Sequence, residues 1–281
     1  MLQHTITAFK EYKHFKSNKP WSVVKMTFPN GGSTPPHYGE TIEILLCNGI
    51  KGECHIGGQH FNFSGKQVFF IAPNIIHSMT YLPNDGTVYV IKIYPTGLSR
   101  YLNLQSVFED YELQISDLPI LSPCIEETVN ASKILSSEKV GILSALDEIT
   151  KLLGAYIKTV TPESKTQLLI KENNRICDIM KWTEENYAQK FSIEEIADTI
   201  GYTKNHFCNK FKSATGITYI DYLNHVRILH SCEYLKNNPE MSIDEISEKC
   251  GFFTTSYYII RFKNIVGMSP GKYRKTLTKD N

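Results

Sequence analysis

The sequence predicts an α+β protein: a small antiparallel β-barrel with helices behind it, then an all-α domain. Three observations predict this. Between residues 20 and 95, short runs of β-branched and aromatic residues alternate with Gly, Pro and Asn turn signals. Beyond Pro95 the apolar spacing changes from the strand period to the helical one. Near the C-terminus, a segment is echoed 50 residues later, at Ser192 and again at Ser242.

The expected strands are Trp21 to Phe28, Thr41 to Cys47, Gly52 to Ile56, Gln67 to Ile71, His77 to Tyr81 and Thr87 to Tyr94. Turn signals separate them: Pro29-Asn30-Gly31-Gly32, Asn48-Gly49, Gly57-Gly58, Pro73-Asn74 and Pro83 to Gly86. Strands at this spacing suit a sandwich or barrel. Pro123 to Leu135 and Glu138 to Val160 read as helices, the second with Ile142, Leu146, Ile149, Leu152, Leu153, Tyr156 and Ile157 in a helical stripe. That stripe packs either on its own barrel or on a second copy, so a homodimer through helix 138–160 is expected. Pro162 and its polar neighbours mark a linker over 161–170, dividing a first domain (1–160) from a helical one (171–281).

At 281 residues with 41% hydrophobic and 21% charged residues, the chain can bury proper cores. It contains no run of 18 apolar residues, so no membrane span is expected. The seven cysteines form no CxxC pair. This pattern argues against a zinc cluster or disulfide framework and for a reducing, cytoplasmic setting. The beginning of the chain lacks the layout of a secretion signal, which fits that expectation. Net charge is only +1, but it is unevenly spread. From Lys249 to Lys279 there are seven basic residues and no acidic one; from Ile200 to Ile220 there are three, again with no acid. The acids cluster just before, at Glu194, Glu195 and Asp198 and at Asp244, Glu245 and Glu248. A basic face on a nearly neutral chain is what a polyanion would feel.

Each copy of the echo has the grammar of a helix-turn-helix, over about 192–212 and 242–263. Ser192 and Glu195 can form a capping box, Ile193, Ile196 and Ile200 supply an apolar face, and Gly201 supplies the turn. Thr203 then caps a second helix, Lys204 to Thr215. Phe207 and Phe211 face inward on it, with Lys204, Asn205, Cys208, Asn209 and Lys212 outward. In the second copy Ser242 and Glu245 form the box, Ile243 and Ile246 pack, and Gly251 turns. Thr254 caps a helix through Asn264 with Tyr258 and Phe262 inward; Thr255, Ser256, Tyr257, Ile260 and Arg261 face outward. A long helix, Tyr219 to Lys236, joins the halves. Outward amides such as Asn205 and Asn209 can pair with adenine edges in the major groove.

Residues 172 to 277 resemble the DNA-binding domain of the AraC/XylS transcription regulators. The resemblance is carried by Ser192-Ile193-Glu194-Glu195-Ile196-Ala197, Gly201-Tyr202, Phe211-Lys212, Gly216, Arg227-Ile228, Leu235, Ser242-Ile243 with Glu245-Ile246, Gly251-Phe252, Phe262-Lys263, Gly267, Ser269-Pro270 and Tyr273-Arg274. It implies two recognition helices in adjacent major grooves, with centres about 34 Å apart. The DNA-contacting residues it implies are Lys204, Asn205, Cys208, Asn209, Lys212, Thr254, Thr255, Ser256, Ile260, Arg261, Lys263 and Arg274. Ile260 stands where that family often has arginine, so the second unit is expected to position on phosphates more than it reads bases. Double-stranded DNA is thus the expected partner, with RNA polymerase a further one.

Pro36-His37-Tyr38-Gly39-Glu40-Thr41-Ile42-Glu43-Ile44 and Gly65 to His77 resemble the two conserved motifs of cupin barrels. A cupin-like barrel ahead of such a DNA-binding domain implies a pocket for a small-molecule effector, a sugar being one class. Its candidate lining is His37, Tyr38, Glu43 and His77, with Trp21 and Tyr81 as aromatic walls. His55 and His60 are expected to be structural. Metal-dependent cupins carry a second histidine where this chain has Gly39, so no cofactor and no catalysis are expected. The alternatives are a metal-dependent cupin enzyme with a DNA-binding tail, using His37, Glu43 and His77 as a two-histidine, one-carboxylate triad, and a constitutive regulator with a vestigial barrel.

Overall fold

A computed structural model describes residues 19–109, 118–160 and 169–277. The first part is an antiparallel sheet of β1 (Trp21–Thr27), β2 (Gly32–His37), β3 (Ile42–Ile56), β4 (Gln59–Ile71), β5 (His77–Tyr81), β6 (Thr87–Ile93) and β7 (Leu121–Ser122). The order is β1-β6-β3-β4-β7, while β5 bridges β3 and β2. β3 is long because Asn48-Gly49, expected as a turn, is instead a bulge across which the pairing with β4 continues. Its first half pairs with β6 and its second half with β5, so the sheet folds back on itself.

Strand alternation then builds two cores. Ile42, Ile44, Leu46, Val68, Phe70, Ile91 and Ile93 face outward into one cluster. Leu45, Cys47, Phe69, Ile71, Val88 and Val90 face the barrel interior with Phe28, Phe63 and Tyr81. Both faces are buried, which explains the unbroken apolar run at 44–47. Short helices α1 (Pro95–Leu98) and α2 (Leu104–Glu109) follow β6.

Helices α3 (Ile125–Leu135) and α4 (Ile142–Ile157) cover the outward face. Ala145, Ile149, Leu152, Leu153, Tyr156 and Ile157 of α4 are buried there, and the Tyr156 hydroxyl lies 2.8 Å from Thr128 Oγ1 of α3. The stripe expected to bring two copies together is therefore occupied by its own barrel. Leu143, 80% exposed, is the large apolar side chain of α4 left on the outside. Trp21 Nε1 donates to the Leu135 carbonyl, tying β1 to α3.

The second part begins with α5 (Leu169–Asn186); of the predicted linker, 161–170, residues 161–168 lie outside the described residues and the last two already belong to α5. Then come α6 (Ile193–Thr199), α7 (Lys204–Thr215), the long α8 (Tyr219–Asn237), α9 (Ile243–Lys249), α10 (Thr255–Val266) and α11 (Pro270–Leu277). One cluster, including Phe207, Phe211, Tyr219 and Tyr222, closes α5–α8. A second, including Ile228, Leu235, Tyr258, Phe262 and Tyr273, closes α8–α11. The β-domain residue Ile76 belongs to the first of these cores, so the two parts share buried surface. No described helix is long and apolar enough to cross a membrane.

Candidate DNA interface and interdomain cavity

Both helix-turn-helix units form as their capping residues dictate. Ser192 Oγ accepts from the Glu195 amide while Glu195 reaches back to the Ser192 amide; Ser242 and Glu245 do the same. Each box satisfies otherwise unpaired helix-start donors. Gly201 (φ 70°) and Gly251 (φ 77°) make the turns in the left-handed region. Thr203 and Thr254 then cap α7 and α10 by accepting from the His206 and Tyr257 amides. Phe207 and Phe211 on α7, and Tyr258 and Phe262 on α10, are buried as expected.

The opposite face of α7 is open. Lys204, Asn205, Asn209 and Lys212 are exposed and Cys208 is half-buried. Lys204 pairs with Glu194 at 2.8 Å, an exposed contact that a phosphate can displace. On α10, Ser256, Ile260 and Lys263 are exposed and Thr255 half-buried, with Thr254 exposed at the cap. Sequence reasoning missed Ile259, 37% exposed, and Phe253, 77% exposed on the extra turn residue of the second unit with Lys190 Nζ 5.3 Å above its ring. His206, also exposed, was missed on α7. The second unit thus offers a largely apolar face and the first a polar one.

Two arginines expected at DNA also make contacts within the domain. Arg261 Nη2 lies 2.7 Å from Asp221 Oδ1, linking α10 to α8. Arg274 donates to the Pro239 and Met241 carbonyls, locking α11 to the loop before α9. Buried Arg227 of α8 donates to the Tyr187 and Gln189 carbonyls, and its guanidinium sits 5.7 Å from the Phe252 ring centre. Asn224 Nδ2 donates to the Tyr257 hydroxyl. These contacts fix one unit against the other, so the pair is a single rigid reader.

Residues 196–276 match the family model described as a helix-turn-helix domain. The C-terminal domain is an AraC/XylS-type DNA-binding domain. The chain is 29% identical over 250 residues to the HTH-type transcriptional activator RhaS of Enterobacter sp. (strain 638), covering 86% of this chain and 87% of that one. It is 26% identical over 161 residues to the HTH-type transcriptional regulator YijO of Escherichia coli (strain K12), covering 56% of this chain. The matched region spans 53% of that relative's length, about half of it. The crystal structure of an apo ToxT point variant from Vibrio cholerae strain SCE256 superposes with a TM-score of 0.51 at 16% identity, over 93% of this chain and 99% of that one, and so shares its fold.

The β-domain meets the AraC/XylS-type domain around a cavity of about 460 Å³. Pro36, His37, Tyr38, Gly39, Glu40, Thr41, Glu43, Lys92 and Tyr94 line one wall; Met180, Lys181 and Glu184 of α5 and Tyr222 of α8 line the other. Register places its polar floor. Glu43 and Lys92 are cross-strand partners, and so are His37 and His77. Lys92 Nζ lies 3.3 Å from Glu43 Oε1, with the two residues 5% and 2% exposed. Burial holds the Lys92 ammonium below its usual range, and Glu43 partly restores it. Removing one member of such a buried pair costs about 3–5 kcal/mol.

The Tyr38 hydroxyl crosses the boundary to donate to the Cys177 carbonyl on α5, and burial raises it to about 12. His55 lies against Gly216 at the end of α7, giving it an interdomain place that was not foreseen. Trp21 and Tyr81 do not reach the cavity. Trp21 is in the core beneath α3, and Tyr81 stacks on Phe28 at 4.0 Å inside the barrel. Of the predicted pocket residues, His37, Tyr38 and Glu43 line the cavity. His77 lies beneath it, 3.5 Å from Glu43.

Proposed function

We propose that this chain is a sequence-specific transcription regulator that sets two recognition helices in successive major grooves and takes its signal from a small polar molecule in the interdomain cavity. The observation carrying the first half is the pairing of two independently capped helix-turn-helix units made rigid by Arg227, Asp221–Arg261 and Asn224–Tyr257. In this reading α7 reads bases through Asn205 and Asn209. α10, with Ile259, Ile260 and Phe253 outward, recognises thymine methyl groups and duplex shape.

The second half is supported by the make-up of the cavity. It sets Lys92, Lys181, Glu40 and Glu184 beside Pro36, Met180 and three tyrosines, an amphipathic lining suited to one small ligand. Because both domains contribute walls, a ligand filling the cavity contacts the two at once and can favour one relative orientation, as differential binding requires. With Trp21 and Tyr81 in the cores, Tyr38, Tyr94 and Tyr222 are the aromatics available to a sugar ring or another flat polar ligand.

Selection from random duplex DNA with the full chain tests the reading. It predicts enrichment of a bipartite site with two half-elements about one helical turn apart. Enrichment of no sequence refutes it.

A further inference from the structure

The turn of the second helix-turn-helix unit is one residue longer than that of the first. Gly201 is followed by Tyr202 and the cap Thr203; Gly251 is followed by Phe252, Phe253 and the cap Thr254. The two adjacent phenylalanines are divided. Phe252 is 5% exposed, and its ring centre lies 5.1 Å from that of Tyr258 in the core of the second unit. Phe252 thus supplies the apolar contact that pins the start of a helix to its first turn. Phe253 is 77% exposed and lies outside that core. The fold leaves its apolar surface to solvent, and only a partner can bury it.

Phe253 stands on a ledge built from both units. Gly251 packs on the α5–α6 loop, with the Ala188 carbonyl oxygen 2.7 Å from where a Cβ would be. Arg227 donates to the Tyr187 and Gln189 carbonyls of that loop, with its guanidinium 5.7 Å from the Phe252 ring centre. From the same loop, Lys190 places its ammonium 5.3 Å from the Phe253 ring centre, where the negative face of the ring attracts it. Lys190 is itself exposed. An apolar ring from one unit and a cation from the other therefore stand side by side at the joint.

Their place in the fold selects the occupant. Recognition helices meet base edges with their N-terminal residues, and the residues around them meet phosphates. Phe253 directly precedes the Thr254 cap of α10, at the rim of the groove that α10 enters. It lies toward the first unit, because its turn is packed on that unit's loop. The apolar group that a major-groove base edge displays is the 5-methyl of thymine, and the neighbouring backbone supplies phosphate. We infer that Phe253 and Lys190 form a third DNA contact at the joint between the units. The ring covers the methyl group of a thymine at the edge of the α10 half-site nearer α7, and the ammonium meets a flanking phosphate. This rests on the reading that α10 enters a major groove.

Deoxyuridine lacks that methyl group and pairs as thymine does, so it isolates the contact. The test uses the full chain and a duplex selected from random DNA, with each thymine of the α10 half-site replaced in turn. One replacement, at the edge nearer the α7 half-site, should weaken wild-type binding about fourfold, the worth of burying one methyl group. Phe253→Ser should bind the thymine and uridine duplexes alike, whereas Ile260→Ala should still distinguish them. Lys190→Gln should lower the slope of log affinity against log salt by about one unit. Both residues are exposed, so both variants should melt as the wild type does. Equal uridine effects in wild type and Phe253→Ser, or no effect at any position, overturn the inference. So does an unchanged salt slope in Lys190→Gln, or a loss in Phe253→Ser that is equal on all sequences. Variants that bind DNA as the wild type does would give the joint to another partner and overturn it too. All of these outcomes leave the regulator reading standing while the selected site is bipartite; a site that is not bipartite fells that reading itself.

Discussion

Gly201 and Gly251 occupy matching places in the two units, yet alanine should not cost the same at each. Both backbones are left-handed, at φ 70° and 77°. That conformation costs an L-residue with a Cβ about 1–2 kcal/mol. A Cβ on Gly201 meets nothing within 4 Å, so Gly201→Ala should lose that amount and no more. A Cβ on Gly251 lands 2.7 Å from the Ala188 carbonyl oxygen and 2.9 Å from its carbon. Those atoms are backbone and cannot rotate away, so the α5–α6 loop must move, adding about 1–3 kcal/mol of overpacking. The same loop supplies the Tyr187 and Gln189 carbonyls held by Arg227, so the move also loosens the joint between units.

Calorimetry on the full chain, following the C-terminal transition, gives the difference. At about 4–8 °C per kcal/mol for a domain of this size, the Gly251→Ala shift should be about 1.5 to 4 times that of Gly201→Ala. Gly251→Ala should also lose affinity for DNA at a temperature where it is still folded. Equal shifts, or a larger one at Gly201, would refute the argument that the second turn is packed onto the first unit.

Asn205→Ala should lose about 1–3 kcal/mol of discrimination at one base position, read by competition among single-base variants of a selected site; uniform loss across sequences would remove its reading role. Arg274→Ala should destabilise the domain by about 1 kcal/mol, since one exposed and one partly buried carbonyl lose a charged donor, while the salt dependence of DNA binding keeps its slope. A slope reduced by about one unit would return Arg274 to the phosphates. Burial holds His225 of α8 below its ordinary 6.5. A depressed folded value means stability that is complete above pH 6.5 and lost as the pH falls through the folded value. Melting temperature should therefore drop between pH 7.5 and 5, and His225→Gln should flatten that drop; an unchanged profile in the variant would assign it elsewhere, His55 shifting in the same direction.

The helical half was legible because its signals are local. Capping boxes at Ser192 and Ser242, turn glycines and inward Phe207, Phe211, Tyr258 and Phe262 are all set within a dozen residues. The β half was legible in kind but not in detail. β2, with Pro35 and Pro36, lacks strand-like composition and is stabilised by pairing with β5. Asn48-Gly49 has the chemistry of a hairpin turn, and only long-range pairing on both sides turned it into a bulge.

The cavity was half legible. The cupin-like motifs brought out His37, Tyr38, Glu43 and His77. Lys92 lies on a strand with no motif, and Met180, Lys181, Glu184 and Tyr222 come from another domain, which no local pattern reveals. The partners of Arg261 and Arg274 were not legible because sequence shows a charge but not what it meets: Asp221 and the Pro239 and Met241 carbonyls lie more than 30 residues away.

The most direct test of the account is hydroxyl-radical and base-interference footprinting of the full chain on a selected duplex. Two rigidly joined units predict two major-groove contact patches on one face of the DNA, about 10 base pairs apart. Asn205→Ala should remove interference in one patch, and Ile260→Ala should weaken only the other. A single patch, or two on opposite faces of the duplex, would contradict the claim that α7 and α10 read DNA together.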